Sequence, residues 1–245
     1  MLPHFNKTGS GKTLIYIPGI EGTAKLLYKQ ENDLSRDHTV VSVPLRPNGN
    51  YGLDQLVDDI QCIATEVGPS PVTVLAESFG GLVAVATALA NPALIDKMIL
   101  LNSFPRFQQR AKIHSGVALF SILPYSLIKA YRTNRSRDEL FSGDISHEDR
   151  RTFHDLTKIV PPEGYLSRLR IIRDTDLRPR LKDVKAKTLV VAGSHDRLFD
   201  SVTYGHQFCS AIPKARLKVL QGTGHVALLA KDVSVRQWLL ELDEI

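Results

Sequence analysis

Six short apolar runs recur along the chain, at residues 13–17, 39–43, 72–76, 97–101, 188–192 and 217–220, most of them closed by Pro, Gly or another turn residue. β-Branched and aliphatic residues fill these runs with little polar alternation, the pattern of strands buried on both faces of a parallel sheet. Helical spacing lies between them. Leu53, Leu56, Val57, Ile60, Ile63 and Ala64 recur at three and four residues and leave Asp54, Asp58 and Asp59 outward. Residues 79–90 are small and apolar almost throughout, as in a helix buried against a sheet, and stop at Asn91-Pro92. Residues 226–242 predict one last amphipathic helix. Strand–helix alternation with right-handed crossovers gives a doubly wound α/β fold, its mainly parallel sheet built from about six strands.

Residues 104–187 break that rhythm. The spacing predicts an apolar helix over 115–131 interrupted by Pro124, a polar helix over 147–159, a turn at 161–164 and a charged stretch over 169–180 closing on Pro179. None of it reads as a parallel strand. The segment is therefore expected to be a helical insertion that leaves the sheet after residues 99–101 and rejoins it at Leu189.

Charge sharpens this division. The insertion carries 18 Lys+Arg against 10 Asp+Glu, a net of +8, whereas the rest carries 13 against 16, a net of −3. Aromatic side chains are not interleaved with the basic ones and no nucleic-acid motif appears, so a solvated basic face is expected rather than a nucleic-acid surface. With 245 residues, 43% hydrophobic and 23% charged, the composition is that of an ordinary globular protein and excludes disorder, collagen and coiled coil. Nothing approaches the ~18 apolar residues of a membrane span, and the first residues lack the apolar core of a secretion signal. Cys62 and Cys209 lie in helix-like stretches without metal-ligand spacing, so they are expected to be reduced core thiols of a cytoplasmic protein.

The candidate chemistry sits where runs end. Ala76-Glu77-Ser78-Phe79-Gly80-Gly81 joins a predicted buried strand to a predicted buried helix, and small residues bracket Ser78 on both sides. A sharp strand–turn–helix needs such neighbours, because the backbone folds tightly and the central side chain must point outward. A helix-capping serine would use the same residues. Asp196 follows the run 188–192 within Gly193-Ser194-His195-Asp196, and His225 follows the run 217–220 within Gly222-Thr223-Gly224-His225. Open α/β sheets build their sites past the carboxyl ends of strands.

The segment around Ser78 resembles the G-x-S-x-G nucleophile elbow of α/β-hydrolases, with Ala76 in place of the first Gly, and Ser78, Asp196 and His225 follow that family's chain order of nucleophile, acid and base. The resemblance implies a Ser-His-Asp triad. Pro18-Gly19-Ile20-Glu21-Gly22-Thr23 occupies the place of the family's oxyanion loop, which implies oxyanion donors at the N–H groups of Ile20 and Phe79. It also implies that residues 1–103 and 187–245 form the hydrolase core and that 104–186 form a helical cap. Glu21, Phe120 and Leu123 are expected at the substrate pocket; Val117, Leu119, Phe120, Ile122, Leu123 and Tyr125 suit an acyl pocket, but residue by residue they read more readily as the core of a small cap. The Pro18–Thr23 and Glu77–Gly81 segments are similar to the hydrolase half of plastid esterases of the phytyl ester synthase type, whose acyltransferase half this chain lacks.

Other motifs are set aside. Gly9-Ser10-Gly11-Lys12-Thr13 has Asn6 where a phosphate loop needs its first Gly, and it precedes a strand instead of following one. Asp200 competes with Asp196, but it begins the helix predicted from Ser201 and reads as a helix-start charge. His195 adjoins Asp196 and is expected to point away from it, while His114, His147, His154 and His206 read as surface residues. No metal or cofactor site is expected. The resemblance thus implies a serine hydrolase acting on a small-molecule carboxylic ester of short to medium acyl chain, as a monomer or homodimer. The same triad also serves acyl transfer, amide or C–C hydrolysis and peroxidation, and a non-catalytic binder on the same scaffold stays open.

Overall fold

A computed structural model of the chain describes residues 3–69, 71–124, 126–128, 130, 139–142, 145–158 and 160–245. Among these, seven strands make one sheet: β1 (Asn6–Thr8), β2 (Lys12–Ile17), β3 (His38–Ser42), β4 (Val72–Glu77), β5 (Ile95–Leu101), β6 (Lys187–Gly193) and β7 (Ala215–Leu220), in the order β1-β3-β2-β4-β5-β6-β7. All neighbours are parallel except β1 and β3. The six expected strands are present. β1 is additional, an exposed Asn-Lys-Thr with no hydrophobic period, held at the edge by pairing Asn6 with Ser42 and Thr8 with Val40.

Burial explains why the strands read as unbroken apolar runs. Ile15, Ile17, Val74, Ala76, Met98 and Leu100 pack on one face against α2 (Leu53–Val67) and α3 (Phe79–Ala90). Leu14, Tyr16, Leu75, Ile99, Leu101 and Val191 pack on the other, against α1 (Tyr28–Leu34) and a C-terminal helix. With both faces covered, neither set of alternating positions is left polar. The chain steps outward from β2 to β3 in one direction and from β4 through β7 in the other. The crevice between β2 and β4 is therefore the topological switch point, where such sheets bind ligands.

Between β5 and β6 lie α4 (Arg110–Ile122), α5 (His147–Thr157), α6 (Pro162–Asp174) and a 3-10 segment, Arg178–Asp183. α7 (Ser201–Ala211) follows β6 and α8 (Val235–Asp243) ends the fold.

Several expectations are corrected here. Residues 161–164 are not a free turn: Pro162 opens α6, where its fixed φ and missing N–H suit the first helical position. The single helix over 226–242 is a 3-10 turn, Ala227–Leu229, then an extended break at Ala230, then α8. Its apolar spacing survives because both pieces face the same core. Cys62 is exposed and Cys209 half-buried, so neither is a core thiol, and burial pushes the Cys209 thiol up to about 11. The helix expected over 115–131 is α4 as far as Ile122; Tyr125 and residues 129 and 131 lie outside the described residues. No helix among the described residues is long and apolar enough to cross a membrane.

Candidate active site

Ser78 caps the end of β4 and the start of α3 with φ 53° and ψ −117°, a conformation that non-glycine residues rarely adopt. Its neighbours make the turn possible. A Cβ on Gly80 would sit 2.4 Å from the Ile17 carbonyl oxygen and 2.7 Å from that of Pro18, so the bend closes only with glycine there. The Ser78 N–H donates to the Leu101 carbonyl at 2.8 Å, and the hydroxyl of Ser103 donates to the Ser78 carbonyl at 2.8 Å. The elbow is thus pinned to the end of β5.

Three sequence-distant side chains meet at this point. The Ser78 Oγ lies 3.1 Å from Nε2 of His225, and His225 Nδ1 lies 2.7 Å from Oδ2 of Asp196. A carboxylate facing Nδ1 fixes the proton there and leaves the Nε2 lone pair toward the hydroxyl. The Asp196 side chain is fully buried and satisfied: Oδ1 accepts the Leu198 N–H at 2.9 Å, and Oδ2 accepts the hydroxyl of Ser201. The Phe199 ring meets the imidazole edge-on at 4.9 Å between centroids. Asp200 does otherwise. It caps α7, accepting the Thr203 N–H at 2.9 Å, while His195 is exposed.

Burial disfavours the imidazolium of His225, but the Asp196 carboxylate, by charge and hydrogen bond, and the more distant Glu77 outweigh it; the group is held above the ordinary histidine range. Glu77 itself is buried beside Ser78 and accepts the Tyr16 hydroxyl at 2.8 Å. Burial pushes its carboxyl up, against the hydrogen bond from Tyr16 and the charge of His225.

A cavity of about 300 Å³ opens over Ser78. It is lined by Ile20, Glu21 and Phe79, by Phe104, Phe107 and Phe199, and by Leu119, Phe120, Tyr165, Leu169 and Ile172 of α4 and α6. Lys112 and Glu139 also reach it. The loop after β2 abuts the serine: a Cβ built on Gly19 would touch the Ser78 Cβ at 3.4 Å. Phe79 begins α3, so its N–H lies outside the helical hydrogen-bond ladder.

The expected pocket residues divide. Glu21, Leu119 and Phe120 line the cavity, as do the expected oxyanion donors Ile20 and Phe79, whereas Val117, Ile122 and Leu123 do not. Val117 faces the core, Ile122 is 80% exposed, and Leu123 caps α4 in extended conformation, so the helical stripe that includes Phe120 ends before it.

Asn102 is the structural residue that sequence reading passed over. It is fully buried at the end of β5; its amide nitrogen donates to the carbonyls of Gly224 at 3.1 Å and His225 at 2.7 Å, and its oxygen accepts the Gly193 N–H at 2.7 Å. Its signal was the one that exposed Asp196, a polar residue just past an apolar run. Ser103, Ser201 and Glu77 were likewise missed. Among the described residues, no group of three His, Cys, Asp or Glu side chains is placed to hold a metal ion.

Comparison with known proteins agrees with this architecture. The profile of the alpha/beta hydrolase fold matches residues 12–232. A putative carbamate hydrolase RutD from Serratia proteamaculans is 24% identical over 87% of this chain and 84% of its own length. A pimeloyl-[acyl-carrier protein] methyl ester esterase from Nitrosomonas europaea is 24% identical over 93% of this chain and 94% of its own. The chloroplastic phytyl ester synthase 1 of Arabidopsis thaliana is 23% identical over 91% of this chain, which spans only 36% of that protein.

Proposed function

The chain belongs to the alpha/beta hydrolase fold family, and on that premise we propose that it is a serine hydrolase cleaving carboxylic esters of short to medium acyl chain. The observation that carries the reading is the 3.1 Å and 2.7 Å relay from Ser78, which lines an apolar cavity, through His225 to Asp196.

Ser78 Oγ attacks the ester carbonyl as His225 Nε2 takes its proton, and Asp196 stabilises the imidazolium that forms. The Ile20 and Phe79 N–H groups bind the oxyanion; a preorganised donor of this kind is worth about 3–4 kcal/mol to the transition state. His225 returns the proton to the leaving alcohol. The same imidazole then activates water, which releases the acid and restores Ser78. Every step uses side chains and backbone of this chain.

Residues 104–186 act as a cap. Phe120, Leu119 and Leu169 take the acyl chain, and the size of the cavity supports short and medium chains over long ones. The methyl ester esterase relative supports the ester class. The relative named a putative carbamate hydrolase keeps hydrolysis of carbamates as the second reading.

A panel of chromogenic esters of graded acyl length, run beside matched carbamates and amides, tests the proposal. Turnover of C2–C8 esters that is absent from Ser78→Ala supports it. Turnover of carbamates alone replaces it with the second reading, and turnover of amides alone, or no turnover of any acyl compound by folded protein, refutes both.

A further inference from the structure

Arg168 has the largest side chain among the described residues that are less than 2% exposed. It lies on α6, and its guanidinium is buried without an acid: among the described residues no carboxylate pairs with it. Its Nε donates to the carbonyl of Ile20 at 2.7 Å, and Nη1 donates to the Arg46 carbonyl at 3.0 Å and to the Tyr51 hydroxyl at 2.8 Å. The chain makes room for it at Gly22, which has φ +73°; a Cβ there would stand 3.1–3.2 Å from the guanidinium carbon and both terminal nitrogens. Gly22 closes a turn onto the Gly19 carbonyl at 2.9 Å. The guanidinium is therefore seated on the turn that carries Ile20.

Burying a cation without a counterion costs stability, so such a group calls for a reason. Arg46, whose carbonyl it uses, is itself paired with Asp59 at 2.6 and 2.7 Å, and that acid is therefore engaged elsewhere. The reason lies at the other end of the Ile20 residue. Holding the Ile20 carbonyl with a charged donor resists rotation of its backbone, and hence of the N–H aimed at the developing oxyanion. The uncompensated charge also favours negative charge on the substrate oxygen, which supplies the counterion only as the transition state forms.

We propose that Arg168 is a positioning residue for the oxyanion hole, locking the Ile20 loop from behind and coupling it to α6. The proposal rests on the reading of Ile20 as an oxyanion donor. Coupling follows from the helix itself: Tyr165, Leu169 and Ile172 of α6 line the cavity, so an acyl chain packed against them also seats the helix that carries Arg168. Acyl binding energy then appears in kcat.

The test measures kcat per active site, titrated with a fluorophosphonate, for Arg168→Lys, Arg168→Met and Tyr51→Phe. Misfolding lowers the titrated fraction and leaves kcat per site unchanged, so a merely structural role is separated. Displacement of a catalytic group by about 1 Å costs roughly 100-fold. Arg168→Met is expected to lose roughly 10- to 100-fold in kcat per site, with KM changed less than about 3-fold and affinity for a trifluoromethyl ketone falling by the same factor as kcat. Arg168→Lys, which keeps the charge but not the fork, is expected to recover part of the loss. Tyr51→Phe, which leaves Arg168 in place but frees one donor, is expected to lose a few-fold in kcat. If neither Arg168 variant folds, Tyr51→Phe decides alone. Unchanged kcat per site in every variant that folds overturns the proposal. So does a loss confined to KM. A parent enzyme that neither turns over esters nor labels at Ser78 would instead refute the function on which the proposal rests.

Discussion

The side-chain amide of Asn102 donates to the backbone carbonyl of His225 at 2.7 Å, and its oxygen accepts the N–H of Gly193 at 2.7 Å. One buried side chain at the end of β5 thus ties together the loops bearing the histidine and the acid. Truncating it leaves buried backbone groups unpaired, at about 1–3 kcal/mol each. Asn102→Ala is therefore expected to lose about 3 kcal/mol or more and to lower Tm by about 6–12 °C. Thermal unfolding followed by circular dichroism checks this. A Tm within about 2 °C of the parent would show that the two loops hold themselves.

Asp196 and Asp200 stand four residues apart with different partners, His225 for one and the start of α7 for the other. Asp196→Asn removes the acceptor that fixes the imidazole tautomer and is expected to cost on the order of 10³–10⁴-fold in kcat. Asp200→Asn keeps a good helix cap and is expected to stay within about 3-fold of the parent. Reversed losses would reassign the acid to Asp200.

The pH dependence follows from His225. The general base must be neutral, and burial, which lowers its pKa, is outweighed by Asp196 and Glu77, which raise it. As pH falls through the raised pKa the imidazole takes a proton and loses its capacity to accept one from Ser78. kcat/KM is therefore expected to be flat on the alkaline side and to fall on the acid side with a midpoint above about 6.5, the ordinary histidine value. A pH–rate profile whose acid limb falls well below that value would contradict the assignment of His225 or of its neighbours.

Phe120 projects from α4 into the cavity with its ring centroid 6.0 Å from that of Tyr165. Phe120→Ala is expected to widen the pocket and move the preferred acyl length upward, with kcat/KM changing about 10-fold for each ~1.4 kcal/mol of altered contact. An apolar acyl site keeps its chain-length profile when salt rises. A profile unchanged by the substitution, with preference for anionic esters that fades at high salt, would favour charge recognition by the basic 104–187 segment, since exposed charges are screened within ~8–10 Å.

Much of this site was legible because Ser78, Asp196 and His225 each lie within five residues of the end of an apolar run, and two-sided burial makes such runs conspicuous. α3 was readable to the residue, being buried all round and stopped by Asn91-Pro92. Other features carried no local signal. β1 is three exposed polar residues that exist as a strand only through β3. The break at Ala230 was masked because apolar spacing resumes at Val235, Trp238 and Leu239 after the polar Lys231-Asp232. Leu123 looked like pocket lining because helical spacing says nothing of where a helix stops. Arg168 carried no signal of its own, since burial against Ile20 and Tyr51 depends on segments more than 110 residues away.

The central claim is that Ser78 is the nucleophile, and the most direct test is intact-mass and peptide mass spectrometry after reaction with a fluorophosphonate. The account predicts one adduct per chain, on the peptide containing Ser78, slowed while excess ester substrate competes for the site and absent from folded Ser78→Ala. Labelling that persists in Ser78→Ala, or no labelling of folded parent protein, would contradict it.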